Sequence, residues 1–204
     1  MSPKLPILCI DLQNDFASQG GRSFVQGTAV GFLLNDLFPF LRERSLMVSE
    51  IISDYRQPRP GDDRDCCRPG EWGYSSLLPS DLRKSGPWVK CMNSPIWTRD
   101  GIGDPSAVPG EPYQDPWAFG KWLTDSIGSR ERIDSVVLVG LTADCCVLST
   151  VQELRWRGYR VQVLMEGTDV RSGDQDERER FLSRPPFTFW GEVVRWEDLK
   201  GHIG

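Results

Sequence analysis

The sequence predicts an α/β fold: a three-layer α/β/α arrangement around a Rossmann-like, open, mostly parallel sheet of about six strands. Two observations carry this expectation. Short apolar runs alternate with segments whose apolar residues recur at helical spacing, the pattern of a sheet covered on both faces. The best of these runs are continuously apolar rather than alternating, as strands buried on both sides are. At 204 residues the chain has room for one good-sized core and is read as a single domain, 1–204.

The elements follow in order. Residues 5–10 (LPILCI) are the first strand, ending in DLQNDF at 11–16. A glycine-containing loop at 20–27 leads into a helix over 28–41, with Phe32, Leu33 and Leu37 at helical spacing. Residues 46–53 (LMVSEIIS) are the second strand. The stretch 55–85 is rich in proline, glycine and charge, and is long for a connection inside a compact domain, which marks it as a functional loop. Residues 86–92 (GPWVKCM) form a third strand, and a helix over 116–127 follows a second loop. The valine-dense 135–139 is the clearest strand, and it feeds a helix over 145–157. A strand at 160–164, a helix at 175–182 and a strand at 192–196 complete the series.

Composition narrows the function. Hydrophobic residues at 39% and charged residues at 26% describe an ordinary soluble globular chain. A net charge of −5 argues against a phosphate-backbone binder, so no nucleic-acid partner is expected. No apolar run approaches the roughly 20 residues that span a bilayer, and LPILCI is too short for a signal segment and is interrupted by Asp11. The expected compartment is therefore the cytoplasm, with no membrane partner. There the six cysteines should be reduced. No CxxC pair or Cys/His cluster is present, so neither a metal site nor a cofactor is expected.

Ligands of open parallel sheets bind beyond the carboxyl ends of the strands. Asp11, Lys90 and the Cys145–Cys146 elbow each fall at or near such an end, so an acid, a cation and a thiol could meet in one crevice. A cysteine nucleophile needs thiolate character. The only histidine, His202, lies in the C-terminal tail, a poor place for an activator. A helix N-terminus remains, together with a nearby cation and a carboxylate to take the proton. Successive helical residues point about 100° apart, so Cys145 and Cys146 are not expected to share one crevice, and periodicity does not choose between them. A vicinal disulfide is disfavoured, because neighbouring Cα atoms are about 3.8 Å apart, inside the usual minimum of roughly 4.4 Å. The same holds for Cys66–Cys67, read as loop residues. Phe16, Trp72, Tyr74 and Trp97 are candidate pocket aromatics. Arg56 is a candidate partner for a substrate carboxylate.

Three segments resemble the isochorismatase-like cysteine hydrolases, a family that includes nicotinamidases, N-carbamoylsarcosine amidase, ureidoacrylate and biuret hydrolases, and isochorismatases. ILCIDLQNDF is similar to the family's opening strand with its D-x-Q-x-D-F ending, and WVKCMNSPIW to the strand that bears the catalytic lysine. VVLVGLTADCCV is similar to the elbow whose cysteine directly precedes valine, and RGYRVQVLMEG to the strand that follows. The resemblance implies Cys146 as nucleophile, Asp11 as general base and Lys90 as the cation beside the thiolate. It also implies an oxyanion hole made by the backbone N–H groups of Thr142 and Cys146, and a non-proline cis peptide at Leu141–Thr142. Gln13, from the first motif, joins the substrate-binding candidates. A small-molecule substrate and a homo-oligomer are implied as partners.

The chain departs from the family at several points. Asp54–Tyr55–Arg56 stands where nicotinamidases have the Asp-x-His of their metal site, and no histidine follows before position 202. This argues for no metal and against nicotinamidase. Thr142–Ala143 replaces the usual small residue then threonine, and Glu166 stands at a common aspartate position. The leading expectation is a metal-independent amidohydrolase that cleaves a small linear amide or carbamoyl compound through a Cys146 thioester. The alternatives are isochorismatase-type vinyl-ether hydrolysis with Asp11 as acid, and a non-catalytic binding or assembly module of the same fold.

Overall fold

The computed structural model describes residues 5–57 and 65–203. Of the long 55–85 loop, residues 58–64 lie outside the described residues. The strands in chain order are β1 (Ile7–Ile10), β2 (Val48–Ser53), β3 (Trp88–Lys90), β4 (Trp97–Thr98), β5 (Tyr113–Gln114), β6 (Val136–Leu141), β7 (Val161–Asp169) and β8 (Glu192–Val194). Six of them form one sheet in the order β3-β2-β1-β6-β7-β8. Every neighbouring pair in it is parallel. β4 and β5 pair separately as an antiparallel ribbon.

The helical segments are α1 (Asn14–Ala17), α2 (29–43), α3 (Pro116–Ile127), α4 (143–156), α5 (Gln175–Leu182), α6 (Phe187–Trp190) and α7 (Trp196–Leu199). Because side chains alternate along a strand, each strand feeds two cores. Leu8, Ile10, Leu138 and Val163 face one side, covered by Phe119 and Leu123 of α3 and Val147 and Val151 of α4. Ile7, Cys9, Val137 and Leu164 face the other, covered by Leu33, Leu37 and Leu41 of α2 and Leu199 of α7. This is the three-layer α/β/α fold with six parallel strands that the sequence predicts.

Caps explain the two helices whose bounds match the sequence reading. The Asp115 carboxylate accepts from Ala118 N at 2.9 Å, with Pro116 opening α3. The Asp174 carboxylate accepts from Glu177 N at 2.7 Å and opens α5. Other bounds shift. β7 continues to Asp169 rather than 164, because a register shift between Leu138 and Gly140 lets its second half re-pair with the end of β6. β8 stops at Val194, and Trp196 starts α7 instead. α1, α6 and the β4–β5 ribbon are too short to leave a periodic signal.

Strand order fixes where chemistry can sit. From β1 the sheet grows one way through β2 and β3, and the other way through β6, β7 and β8. The reversal lies between β1 and β6, and it opens a crevice beyond their carboxyl ends. Gly140, with φ +111°, permits the close approach there, since a Cβ would collide with the Ile10 carbonyl.

Candidate active site

Asp11 directly follows β1 with a left-handed backbone, φ 51°, its N–H held by Ile51 O at 2.8 Å. Lys90 is the last residue of β3, and its register partner across β2 is Ser53. Cys146 lies in the first turn of α4, beyond the end of β6. Strand order therefore places β2 between the two strands that end in Asp11 and Lys90, and β2 supplies the groups that join them.

The centre of the network is the Lys90 ammonium. It donates to Asp11 Oδ2 at 2.8 Å, Ser53 Oγ at 2.8 Å and Tyr55 Oη at 2.6 Å, and lies 3.4 Å from Cys146 Sγ. Ser53 Oγ donates to Asp11 Oδ1 at 2.8 Å. Tyr55 Oη lies 3.5 Å from Cys146 Sγ and donates toward Met92 O at 3.0 Å. The Lys90 and Asp11 side chains are 0% and 1% exposed, so this is a buried ion pair whose members would each be costly alone. Burial alone would lower the Lys90 pKa, but the adjacent Asp11 carboxylate more than offsets it, and the value stands above the ordinary lysine range. Lys90 is a cation at neutral pH.

Cys145 and Cys146 both line the crevice. This corrects the expectation that they point apart. The first turn of α4 is widened, with Val147 N bonding back five residues to Thr142 O at 3.0 Å, so adjacent thiols reach the same space. A hydrogen bond between the thiols pulls the Cys145 pKa down and is the first of the causes that push Cys146 up, burial being the next. The two titrate as one system, whose first proton leaves more readily than that of an isolated thiol. Lys90, in direct contact with Cys146 Sγ, favours placing the anion there.

The widened turn also shapes the elbow backbone. Thr142 O accepts from Cys145 N at 3.1 Å and from Val147 N, skipping the Cys146 N–H between them. The Leu141–Thr142 peptide is cis, as the resemblance implies. The crevice above these groups holds about 40 Å³ and includes Asp11, Phe16, Tyr55, Asn93 and Arg171. A far larger cavity, about 1040 Å³, lies at the amino ends of β6–β8, lined by Arg160, Gln162, Trp190 and Glu192. No nucleophile paired with a buried ion pair faces that cavity, so the small crevice is the candidate site.

Comparison with known proteins bears on the fold. The isochorismatase domain family model matches residues 115–186, the segment that contains the Cys146 elbow. The fold is similar to an isochorismatase-like hydrolase from Alkaliphilus metalliredigens, with a TM-score of 0.64 at 21% identity over 97% of this chain and 98% of that one. It is also similar to pyrazinamidase of Pyrococcus horikoshii in complex with zinc, TM-score 0.65, 16% identity, covering 95% and 100%. N-carbamoylsarcosine amidase from Thermoplasma acidophilum gives a TM-score of 0.61 at 21% identity, covering 94% and 96%. The fold is that of the isochorismatase-like hydrolases. The resemblance carried by the sequence motifs is met by the family model over residues 115–186 and by the fold.

In this isochorismatase-like fold, Asp11, Lys90 and Cys146 converge, and Phe16 lines the crevice beside them. The other substrate-binding candidates stand outside its wall. Gln13 is fully buried and acts as a brace, bonding Ser53 N at 2.7 Å, Ser53 O at 2.9 Å and Tyr74 O at 3.0 Å. Arg56 pairs with Asp54 at 2.8 Å and donates to the carbonyls of Gly101, Asp104 and Ala107. Its guanidinium thus pins the 101–107 loop to the end of β2 instead of facing a substrate carboxylate. Trp72 is 56% exposed on a turn packed against α1. Tyr74 packs with Cys66 and Cys67, and burial lifts its pKa to about 12. Trp97 sits in the β4–β5 ribbon. Cys66 and Cys67 are buried thiols that are not joined in a disulfide.

Sequence reasoning missed Ser53, Tyr55, Asn93 and Arg171. The signal for the first two was present: positions 53 and 55 are two apart at the end of a strand and so share a face. Among the described residues no group of three or more His, Cys, Asp or Glu could hold a metal ion, and no helix is long and apolar enough to cross a membrane.

Proposed function

We propose that the protein is a metal-independent cysteine amidohydrolase that cleaves the C–N bond of a small linear amide or carbamoyl compound. The supporting observation is that Lys90 Nζ touches both the Asp11 carboxylate and Cys146 Sγ beneath an open crevice. The small volume suits a compact acyl group more than a ring.

In this reading the thiol proton passes to Asp11 as substrate enters, and the Lys90 charge holds the resulting thiolate. Cys146 Sγ attacks the carbonyl carbon, and the π pair moves to oxygen, where the N–H groups of Thr142 and Cys146 receive it. Collapse breaks the C–N bond, and Asp11 returns its proton to the departing nitrogen. Asp11 then deprotonates a water, which attacks the thioester and releases the acid and the thiol. A cytosolic location and a homo-oligomeric state belong to the same proposal. The exposed Trp117, Trp156 and Phe189 provide apolar surface for a contact between copies.

Ammonia release, screened across small linear amides and carbamoyl compounds, tests the reading. Release by the wild type and none by Cys146→Ala is the expected result. Ammonia release undiminished in Cys146→Ala would contradict the thioester reading, and hydrolysis of a vinyl ether that depends on Asp11 but not on Cys146 would instead indicate acid catalysis.

A further inference from the structure

The Lys90 ammonium has three protons, and its three shortest contacts use all of them: Asp11 Oδ2, Ser53 Oγ and Tyr55 Oη, at 2.6–2.8 Å. Cys146 Sγ, at 3.4 Å and within hydrogen-bonding range for sulfur, is a fourth claimant on those three protons. It therefore has the lysine's charge beside it but must share the lysine's protons with three oxygens. Tyr55 Oη is placed to supply a further proton. Its oxygen accepts from Lys90, and the acceptors within reach of its single hydrogen include Met92 O at 3.0 Å and Cys146 Sγ at 3.5 Å.

We propose that Tyr55 is a catalytic hydrogen-bond donor whose hydroxyl follows the charge on Cys146, turning from the Met92 carbonyl to the sulfur when the thiolate forms and back when the sulfur is acylated. A neutral thiol is a weak acceptor, so Met92 O holds the hydrogen in the resting state. A thiolate accepts a charge-assisted bond and captures it. No bond to carbon is made or broken in this step; only the O–H direction changes.

Three features fit the role. Tyr55 is 1% exposed and packs against Cys66 and Cys67, with Phe16 edge-on at 6.2 Å, so the ring is held in place. Burial, reinforced by the charges of Cys146 and Asp11, lifts its pKa well above the ordinary tyrosine value, which keeps the hydroxyl protonated at neutral pH. The Lys90 bond polarises that hydroxyl and makes it a better donor.

This inference rests on Cys146 being the nucleophile, and the test separates the two claims. The pH dependence of iodoacetamide alkylation, with the adduct located on Cys146 rather than Cys145 by peptide mass spectrometry, reports the thiol directly. Tyr55→Phe, which keeps the ring, is expected to raise the Cys146 alkylation pKa by about one unit and slow alkylation at neutral pH about tenfold. A purely structural role for Tyr55 would change stability and leave the thiol pKa where it is. An unchanged pKa in the folded variant would overturn the proposal. Should Tyr55→Phe fail to fold, replacing the tyrosines with 3-fluorotyrosine gives a more acidic phenol of similar shape. The Cys146 pKa is then expected to fall, and no change would again overturn the proposal. A wild-type Cys146 no more reactive than a free thiol would remove the nucleophile reading itself, and this inference with it.

Discussion

The sheet carries a cavity at each end, and the two differ in what they bury. At the amino ends of β6–β8 there is about 1040 Å³, walled by side chains such as Arg160, Glu192 and His202. At the carboxyl ends of β1 and β6 there is about 40 Å³, but its floor is a lysine and an aspartate withdrawn from water and bonded to each other. Charge is buried only where partners compensate for lost hydration, and such compensation is worth building where chemistry needs it. Cavity size alone would point to the other end of the molecule. The difference between a large groove and a small crevice above paired charges is what supports the proposed site.

Substitutions can break this contrast. The largest effect is expected from Cys146→Ala, which should lower kcat/KM by at least about 10⁴-fold, because the thiol it leaves in the crevice, Cys145, is not the one that touches Lys90 Nζ. Lys90→Met should be nearly as damaging to turnover. It should also destabilise the fold by about 3–5 kcal/mol, since it strands the Asp11 carboxylate in the interior. Chemical denaturation of the double variant Asp11→Asn/Lys90→Met is expected to recover part of that stability, with no recovery of activity. If the double variant is no more stable than the single one, the ion pair is not what the buried network compensates.

A third, smaller effect concerns pH. The Cys145 thiol lies below the ordinary thiol value, chiefly through its hydrogen bond with Cys146, and Lys90 stabilises an anion in contact with Cys146 Sγ. The kcat/KM profile should therefore rise with pH through a midpoint below that value and then level off. A midpoint at or above the ordinary thiol value would contradict the arrangement. The folded Lys90 pKa lies above its unfolded value, so its contribution to stability is complete at neutral pH and is lost only as pH rises through the folded value. The smallest effect is expected at the other end of the sheet. Gln162→Ala, in the large cavity, should leave kcat/KM within about twofold and stability within about 0.5 kcal/mol. A larger loss of activity there would make the big cavity part of the site.

Asp11, Lys90 and Cys146 were legible because each interrupts or ends an apolar run, and parallel sheets gather such ends on one side. Ser53 and Tyr55 were legible only as neighbours on one face of a strand end, not as the groups that complete the network. Their importance depends on β2 lying between β1 and β3, and strand order is set by packing rather than by any local pattern. Cys145 was misread for a related reason. An ideal helical turn separates adjacent side chains, whereas the turn here is widened by the bond from Val147 N to Thr142 O. Arg56 does not face the crevice as a carboxylate clamp because its donors find partners in nearby Asp54 and in the 101–107 loop, which is distant in sequence. At the end of β7, Glu166 drew notice as a departure from the family pattern. The buried carboxylate there is Asp169, which accepts from Ala29 N at 2.7 Å and Arg178 Nη1 at 3.2 Å. Glu166 instead receives Trp196 N at 2.9 Å.

The central claim, that the buried Asp11–Lys90 pair serves Cys146 as a nucleophile, is tested most directly by intact-protein mass spectrometry of enzyme quenched in acid during turnover of an amide it hydrolyses. The account predicts an adduct equal in mass to the acyl group, mapped to the peptide that contains Cys146 and absent from Cys146→Ala. Steady turnover with no adduct at any time, undiminished in Cys146→Ala, would contradict it.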